Sequence, residues 1–102
     1  MKVLLDEAVP EIIGRRLPQF EFTTIQAMGW RGVRNGALLD RMSGRFAVLI
    51  TTDKNLPFQQ NLRQREISVI ALPANDIPSV IELLPEIEMT LGTISPGEFV
   101  QL

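Results

Sequence analysis

Short apolar runs alternate along the chain with segments whose apolar residues recur at helical spacing. The apolar runs predict five strands: Lys2–Leu5, Glu21–Ile25, Phe46–Thr52, Ile67–Leu72 and Glu98–Leu102. The helical spacing predicts three helices: one over about Val9–Leu17, one that follows Asn35 and runs to about Met42, and one over about Pro78–Leu91. The polar segment Asn55–Leu62 is expected to form a loop or a short helix.

This order of elements predicts a single α/β domain over residues 1–102. We expect three layers, with a mostly parallel central sheet of 4–5 strands flanked by helices. The first strand should lie inside the sheet, beside the third or the fourth strand. The last strand is expected to be an antiparallel edge.

Several residues indicate where the elements begin and end. Asn35 is a plausible N-cap for the second helix, and Gly44 is its stop signal. Pro85 should kink or split the last helix, which Gly92 closes. Trp30, in the glycine-containing loop 26–34, is expected to fill the core, with a lid or a base-stacking platform as the alternatives.

Composition narrows the chemistry that is available to the protein. The net charge of −2 argues against a generally basic nucleic-acid binder, although eight of the ten basic residues are arginines. Cys, His and Tyr are absent, so acid–base or metal chemistry falls to carboxylates, lysine or bound water. No apolar run approaches the roughly 18 residues of a membrane span, and the chain starts with a strand rather than a signal segment. We therefore expect a cytoplasmic protein with no membrane partner.

Two predicted buried strands end in carboxylates, at Asp6 and Asp53. Carboxyl ends of parallel strands lie at one edge of a sheet, where ligands bind. Two close carboxylates repel each other unless a cation such as Mg²⁺ or Mn²⁺ lies between them. Glu7 is the third candidate, a catalytic residue that would assist the two aspartates. The structural alternatives are a turn or cap at Asp6, an Asx turn at Asp53 and a helix cap at Glu7.

Basic residues close to these carboxylates are candidates for substrate binding. Arg31 and Arg34 lie in the loop after the second strand, and Lys54 follows Asp53 directly. All three could contact the phosphates of a nucleic acid, and the alternative for Lys54 is an ordinary exposed charge.

Four motifs resemble those of a small PIN-like family, which is related to the RNase domain of the Mut7 C-terminal type and is often counted among toxin components. They are Leu4-Leu-Asp-Glu7, Gly29-Trp-Arg-Gly32, Asn35-Gly-Ala-Leu-Leu39 and Thr51-Thr-Asp-Lys-Asn-Leu56. The resemblance runs over nearly the whole chain, and the first and last motifs are its most specific parts. It implies a three-layer PIN-like domain.

PIN domains are metal-dependent ribonucleases whose acidic residues hold Mg²⁺ or Mn²⁺. The resemblance implies that Asp6 and Asp53 are two of these acids. Where the family often has two further acids, this chain has Asn35 and Asn55. An amide oxygen can coordinate a hard cation but supplies no charge, so the metal should bind less tightly.

Three functions are consistent with these features. The first is a metal-dependent endoribonuclease acting on RNA, as the toxin of a pair with a small antitoxin-like protein. The second is a weakened PIN-like binding module that acts through a protein partner or as a homo-oligomer. The third is a receiver domain, suggested by the spacing of Asp53 and Pro57. A receiver needs a lysine after the last core strand, and neither Lys2 nor Lys54 meets that need.

Overall fold

The structure, a computed structural model, describes residues 1–55 and 62–102. Within these ranges an α/β fold is built on one five-stranded sheet. Its strands are β1 (Lys2–Leu5), β2 (Glu21–Thr24), β3 (Val48–Thr51), β4 (Ser68–Ala71) and β5 (Phe99–Gln101). The helices in the described ranges are α1 (Ile12–Arg16), α2 (Asn35–Met42), α3 (Leu62–Arg65) and α4 (Ile77–Thr93). Most of the segment predicted as a loop or short helix, Asn55–Leu62, lies outside the described residues.

All five strands are parallel, in the order β2-β1-β3-β4-β5. As predicted, β1 lies inside the sheet and pairs with β3, which is the central strand. The expectation that the last strand runs antiparallel is wrong, because β5 pairs with β4 in parallel. The 17-residue α4 is long enough to return the chain across the sheet, so β5 starts at the same edge as β4.

The sheet separates two apolar clusters, because successive side chains of a strand point to opposite faces. The first cluster joins one face of the sheet to α1 and α4. The second joins the other face to α2, α3 and the loop after β2. The first includes Val3, Leu5, Ile50, Ile13, Val80 and Ile87, and the second includes Leu4, Leu49, Val69, Trp30, Leu39 and Leu62. The helices therefore form the two outer layers of the predicted three-layer arrangement.

The ends of α2 agree with the prediction at one end only. The helix begins at Asn35, and its N-cap position is held by the extended residue Arg34, so the expectation that Asn35 is the N-cap is wrong. The backbone amide of Leu38 donates to the carbonyl of Arg34 at 3.3 Å, which closes the first turn one residue earlier than predicted. Gly44 follows the helix with a φ of +79°, a conformation that glycine adopts at little cost, as expected of a stop signal.

Helix α4 has a side-chain cap at its start. The carboxylate of Asp76 accepts hydrogen bonds from the backbone amide of Ser79 at 3.1 Å and from its hydroxyl at 2.7 Å. The hydroxyl bond, helped by the amide bond, lowers the pKa of Asp76 below its usual value.

Helix α4 continues through Pro85 and Gly92 to Thr93. Of the two expectations for Pro85, a kink or a split, the split is wrong, and the expected stop at Gly92 is also wrong. Pro85 is exposed, and the turn weakened by its missing N–H faces water. The opposite side is buried along Val80, Leu84, Ile87 and Leu91, and this packing keeps the helix continuous. No helix in the described ranges has the length and apolar character needed to cross a membrane.

Candidate functional site

Asp6 and Asp53 lie at the carboxyl edge of the sheet, after two strands that pair with each other. Asp6 directly follows β1, and Asp53 comes two residues after the end of β3. The ladder between the strands continues to Asp6, whose amide donates to the carbonyl of Ile50 at 3.0 Å. The parallel register therefore brings the two acidic positions to one part of the edge.

One buried hydroxyl links these two positions. Thr51, the last residue of β3, is 0% exposed. Its Oγ1 donates a hydrogen bond to Oδ2 of Asp6 at 2.7 Å and accepts one from the backbone amide of Asp53 at 3.0 Å. The same oxygen thus fixes the carboxylate of Asp6 and the backbone that carries the carboxylate of Asp53.

Both carboxylates keep unused hydrogen-bonding capacity. Oδ1 of Asp6 accepts the amide of Glu7 at 2.8 Å, and Oδ1 of Asp53 accepts the amide of Asn55 at 2.9 Å. The bond to Asn55 forms an Asx turn, which is the structural alternative considered for Asp53. A carboxylate offers about four acceptor sites, so each group can still bind a cation or water. Within residues 1–55 and 62–102, neither aspartate is ion-paired.

Glu7 is exposed and tied to the loop after β2. Its Oε1 accepts a hydrogen bond from the backbone amide of Gly32 at 3.2 Å. The alternative role as a cap of α1 is wrong, because α1 begins at Ile12 with Glu11 in the N-cap position. Glu7 therefore anchors the loop at the carboxyl edge.

The basic side chains predicted to bind substrate lie near this edge and are not ion-paired in the described part of the chain. Arg31 and Arg34 are exposed in the loop that Glu7 anchors, and Lys54 is exposed beside Asp53. In the described part of the chain, none of the three forms an ion pair. Their charges are therefore available to an anionic ligand.

The two asparagines occupy different kinds of position. Asn35 is the first residue of α2, whereas Asn55 is exposed and gives its backbone amide to the Asx turn. Across the described ranges, no group of three or more His, Cys, Asp or Glu side chains is arranged to hold a metal ion. Magnesium is commonly held by one or two carboxylates together with water and substrate phosphate, and Asp6 and Asp53 fit that smaller ligand set.

Trp30 fills the core, which confirms the first of the three roles considered for it. It is 8% exposed and packs edge-to-face against Phe46, with ring centres 6.0 Å apart. The guanidinium groups of Arg41 and Arg45 lie over its ring at 6.0 and 5.9 Å from the centre. The ring is covered on its outer side, so it is not an open platform for a base.

Two polar residues near the edge were missed by the sequence analysis. The link through Thr51 was missed, although a threonine at the end of an apolar run, two residues before an aspartate, is a readable signal. The other is Gln26, just after β2, whose buried Oε1 has no hydrogen-bond partner among the described residues. No pattern in the sequence distinguishes Gln26 from an ordinary turn residue.

No family model matches the chain, and no curated protein or solved structure shows significant similarity to it. Any function proposed for the protein therefore depends on the residues at the carboxyl edge.

Proposed function

We propose that the protein is a metal-dependent ribonuclease of PIN-like type, with its site at the carboxyl edge of the sheet. The observation that supports this most directly is that Oγ1 of Thr51 binds both the carboxylate of Asp6 and the backbone amide of Asp53. Both acids follow adjacent central strands, and in the described part of the chain neither has a cationic partner. Uncompensated carboxylates at such an edge are a favourable place for a divalent cation.

Asp6 and Asp53 are the residues that would hold the ion, and an amide oxygen of Asn55 or Asn35 would complete the set directly or through water. When bound there, a divalent cation supplies positive charge against a phosphodiester and activates water for its hydrolysis. The protein contains no histidine or cysteine that could supply this chemistry in another way.

The chain's own residues contribute positioning and charge. Thr51 fixes the rotamer of Asp6 through a bond of 2.7 Å, so the carboxylate needs little reordering when a ligand binds. Glu7 holds the loop through Gly32, and that loop carries Arg31 and Arg34 towards the phosphates of the RNA.

The test is an RNase assay with Mn²⁺ or Mg²⁺ on the parent and on Asp6→Asn and Asp53→Asn. Both changes keep the size of the side chain and remove its charge, and we expect activity to fall to background. Glu86→Gln is the control for the loss of one carboxylate charge, because Glu86 is exposed past the midpoint of α4, away from the carboxyl edge. Equal activity in all four proteins would rule out this site.

A second function, a binding module that acts through a protein partner or a second copy, is favoured by a different observation. No third acidic side chain joins Asp6 and Asp53 in the described residues, and the family's further acidic positions are held by amides. The role of a toxin paired with a small antitoxin-like protein belongs to the first function, the ribonuclease. Calorimetry separates the two, because a binding module shows no Mn²⁺ uptake at millimolar concentration whereas the ribonuclease does.

A further inference from the structure

Charged residues are distributed unevenly along the chain. All ten basic residues lie in residues 1–65, whereas residues 66–102 contain six acidic residues and no lysine or arginine. The overall charge of −2 conceals this division. A strong asymmetry of this kind indicates separate surfaces of opposite sign.

The fold places the two signs on opposite faces of the sheet. The layer formed by residues 25–47 and 62–66, here called the basic face, carries six arginines and only two acidic residues, Asp40 and Glu66. In the opposite layer, α4 carries three glutamates and no basic residue, and α1 carries Arg15 and Arg16. The arginines of the basic face are Arg31, Arg34, Arg41, Arg45, Arg63 and Arg65.

Most of these arginines are available to a ligand. Arg65 is paired with Asp40. The other five arginines are exposed, and none of them forms an ion pair within the described residues.

Arg41 and Arg45 are held in place by Trp30, at and just beyond the far end of α2. Both guanidinium groups lie over the ring of Trp30, at 6.0 and 5.9 Å from its centre. An arginine that is already ordered on an aromatic ring loses less side-chain entropy when it binds a phosphate. Arg45 also borders two open hollows of about 590 and 480 Å³, so a ligand can reach it from either side.

We propose that the basic face binds the phosphate backbone of a nucleic-acid strand. The planar guanidinium group suits phosphate oxygens, and this face is the surface of the chain with the largest excess of arginine. Helix α2 runs from the carboxyl edge to the opposite edge, so Arg41 in its last turn and Arg45 just beyond it extend the positive charge of Arg31 and Arg34 away from Asp6 and Asp53. The proposal concerns binding and does not require the hydrolysis proposed above.

The test measures the binding of a fluorescently labelled 20-nucleotide oligo(U) RNA in EDTA, over a range of salt concentrations. Each phosphate contact with a single strand contributes about −0.7 to the slope of log K against log salt. Arg41→Gln/Arg45→Gln should therefore reduce the slope by about 1.4 and weaken binding at 0.1 M salt by about 25-fold. Arg34→Gln/Arg63→Gln should have a similar effect without changing the contacts of Trp30.

The matched control is Arg15→Gln/Arg16→Gln, which removes the same charge from α1 on the opposite face. We expect its affinity to stay within about twofold of the parent, since it removes none of the proposed contacts. The emission of Trp30, the chain's one tryptophan, should change when RNA binds to the parent and to this control.

Three results would overturn the proposal: no binding by the parent, an equal loss in the variants of the two faces, or tighter binding to anionic lipid vesicles than to RNA. An Asp6→Asn/Asp53→Asn variant that binds RNA like the parent in EDTA supports the proposal even if no hydrolysis is found. Failure of the ribonuclease can therefore be distinguished from failure of the basic face.

Discussion

Thr51→Val is the substitution that tests the carboxyl edge most selectively. Valine has nearly the shape of threonine and a similar preference for strands, so the buried packing at this position stays intact. The change removes one hydroxyl, and with it the bonds of 2.7 Å to Asp6 and 3.0 Å to the amide of Asp53.

The expected cost follows from these two bonds. A hydrogen bond to a charged group contributes about 1.5–3 kcal/mol to stability and a neutral one about 0.5–1.5 kcal/mol. Asp6 is partly exposed and Asp53 is exposed, so water can replace part of the loss. We therefore expect the free energy of unfolding to fall by about 2 kcal/mol, which is a large part of the 5–15 kcal/mol typical of a domain.

Urea denaturation followed by circular dichroism measures this change. The unfolding free energy of a small domain falls by about 1–3 kcal/mol per molar urea, so a loss of about 2 kcal/mol lowers the denaturation midpoint by roughly 1 M. Thr51→Ser keeps the hydroxyl, so its denaturation midpoint should lie close to that of the parent. Thr52→Val is the control, because the hydroxyl of Thr52 makes no hydrogen bond with the described residues. A midpoint for Thr51→Val equal to that of Thr52→Val would refute the role of the hydroxyl.

Three further substitutions test other parts of the structure by denaturation. Gly97→Ala should lower the free energy of unfolding by about 1–3 kcal/mol, because Gly97 has a φ of +82° and an added Cβ would lie 2.8 Å from Cα of Arg63. The control is Gly92→Ala, which has open space around the added Cβ and should be neutral or stabilising. Pro85→Ala should stabilise by about 1–3 kcal/mol by restoring a helical hydrogen bond; a loss of stability would contradict this. The pKa of Asp76 is lowered in the folded state, so its contribution is present above pH 3.8 and is lost as the pH falls through the folded value. The midpoint difference between the parent and Asp76→Asn should therefore shrink on acidification, and a constant difference would contradict it.

The layout of the sheet could be predicted because its strands are short, apolar and separated by helical patterns. Runs such as Val48–Thr51 are buried on both sides, and a continuous apolar run is typical of a strand inside a parallel sheet. The direction of β5 could not be predicted in this way. It depends on the full length of α4, and the local signals of Pro85 and Gly92 suggested a helix that was interrupted or shorter.

Neither signal interrupts the helix, because tertiary packing outweighs local preference. Pro85 lies on the exposed side of α4, where a lost backbone bond is compensated by water, while Ile87 and Leu91 on the other side are buried. Asn35 failed as an N-cap for a different reason. The helix starts one residue earlier than the capping rule suggested, after the extended residue Arg34.

The acidic residues of the candidate site could be predicted from the sequence, whereas the hydrogen bonds that hold them could not. Asp6 and Asp53 could be identified because each ends a buried strand and the sequence contains no histidine or cysteine. The bond from Thr51 to Asp6 depends on the register of β1 against β3, and the bond from Gly32 to Glu7 depends on the course of a loop. A single sequence fixes neither of these.

The most direct test of the central claim is whether a divalent cation binds between Asp6 and Asp53. Mn²⁺ broadens the NMR signals of nearby nuclei, so a titration of ¹⁵N-labelled protein locates the ion. We expect the backbone amides of Asp6, Glu7 and residues 51–54 to broaden first at substoichiometric Mn²⁺, and this selective loss to disappear in Asp6→Asn/Asp53→Asn. Broadening that starts at the acidic residues of α4, or that is unchanged in the double variant, would contradict the account.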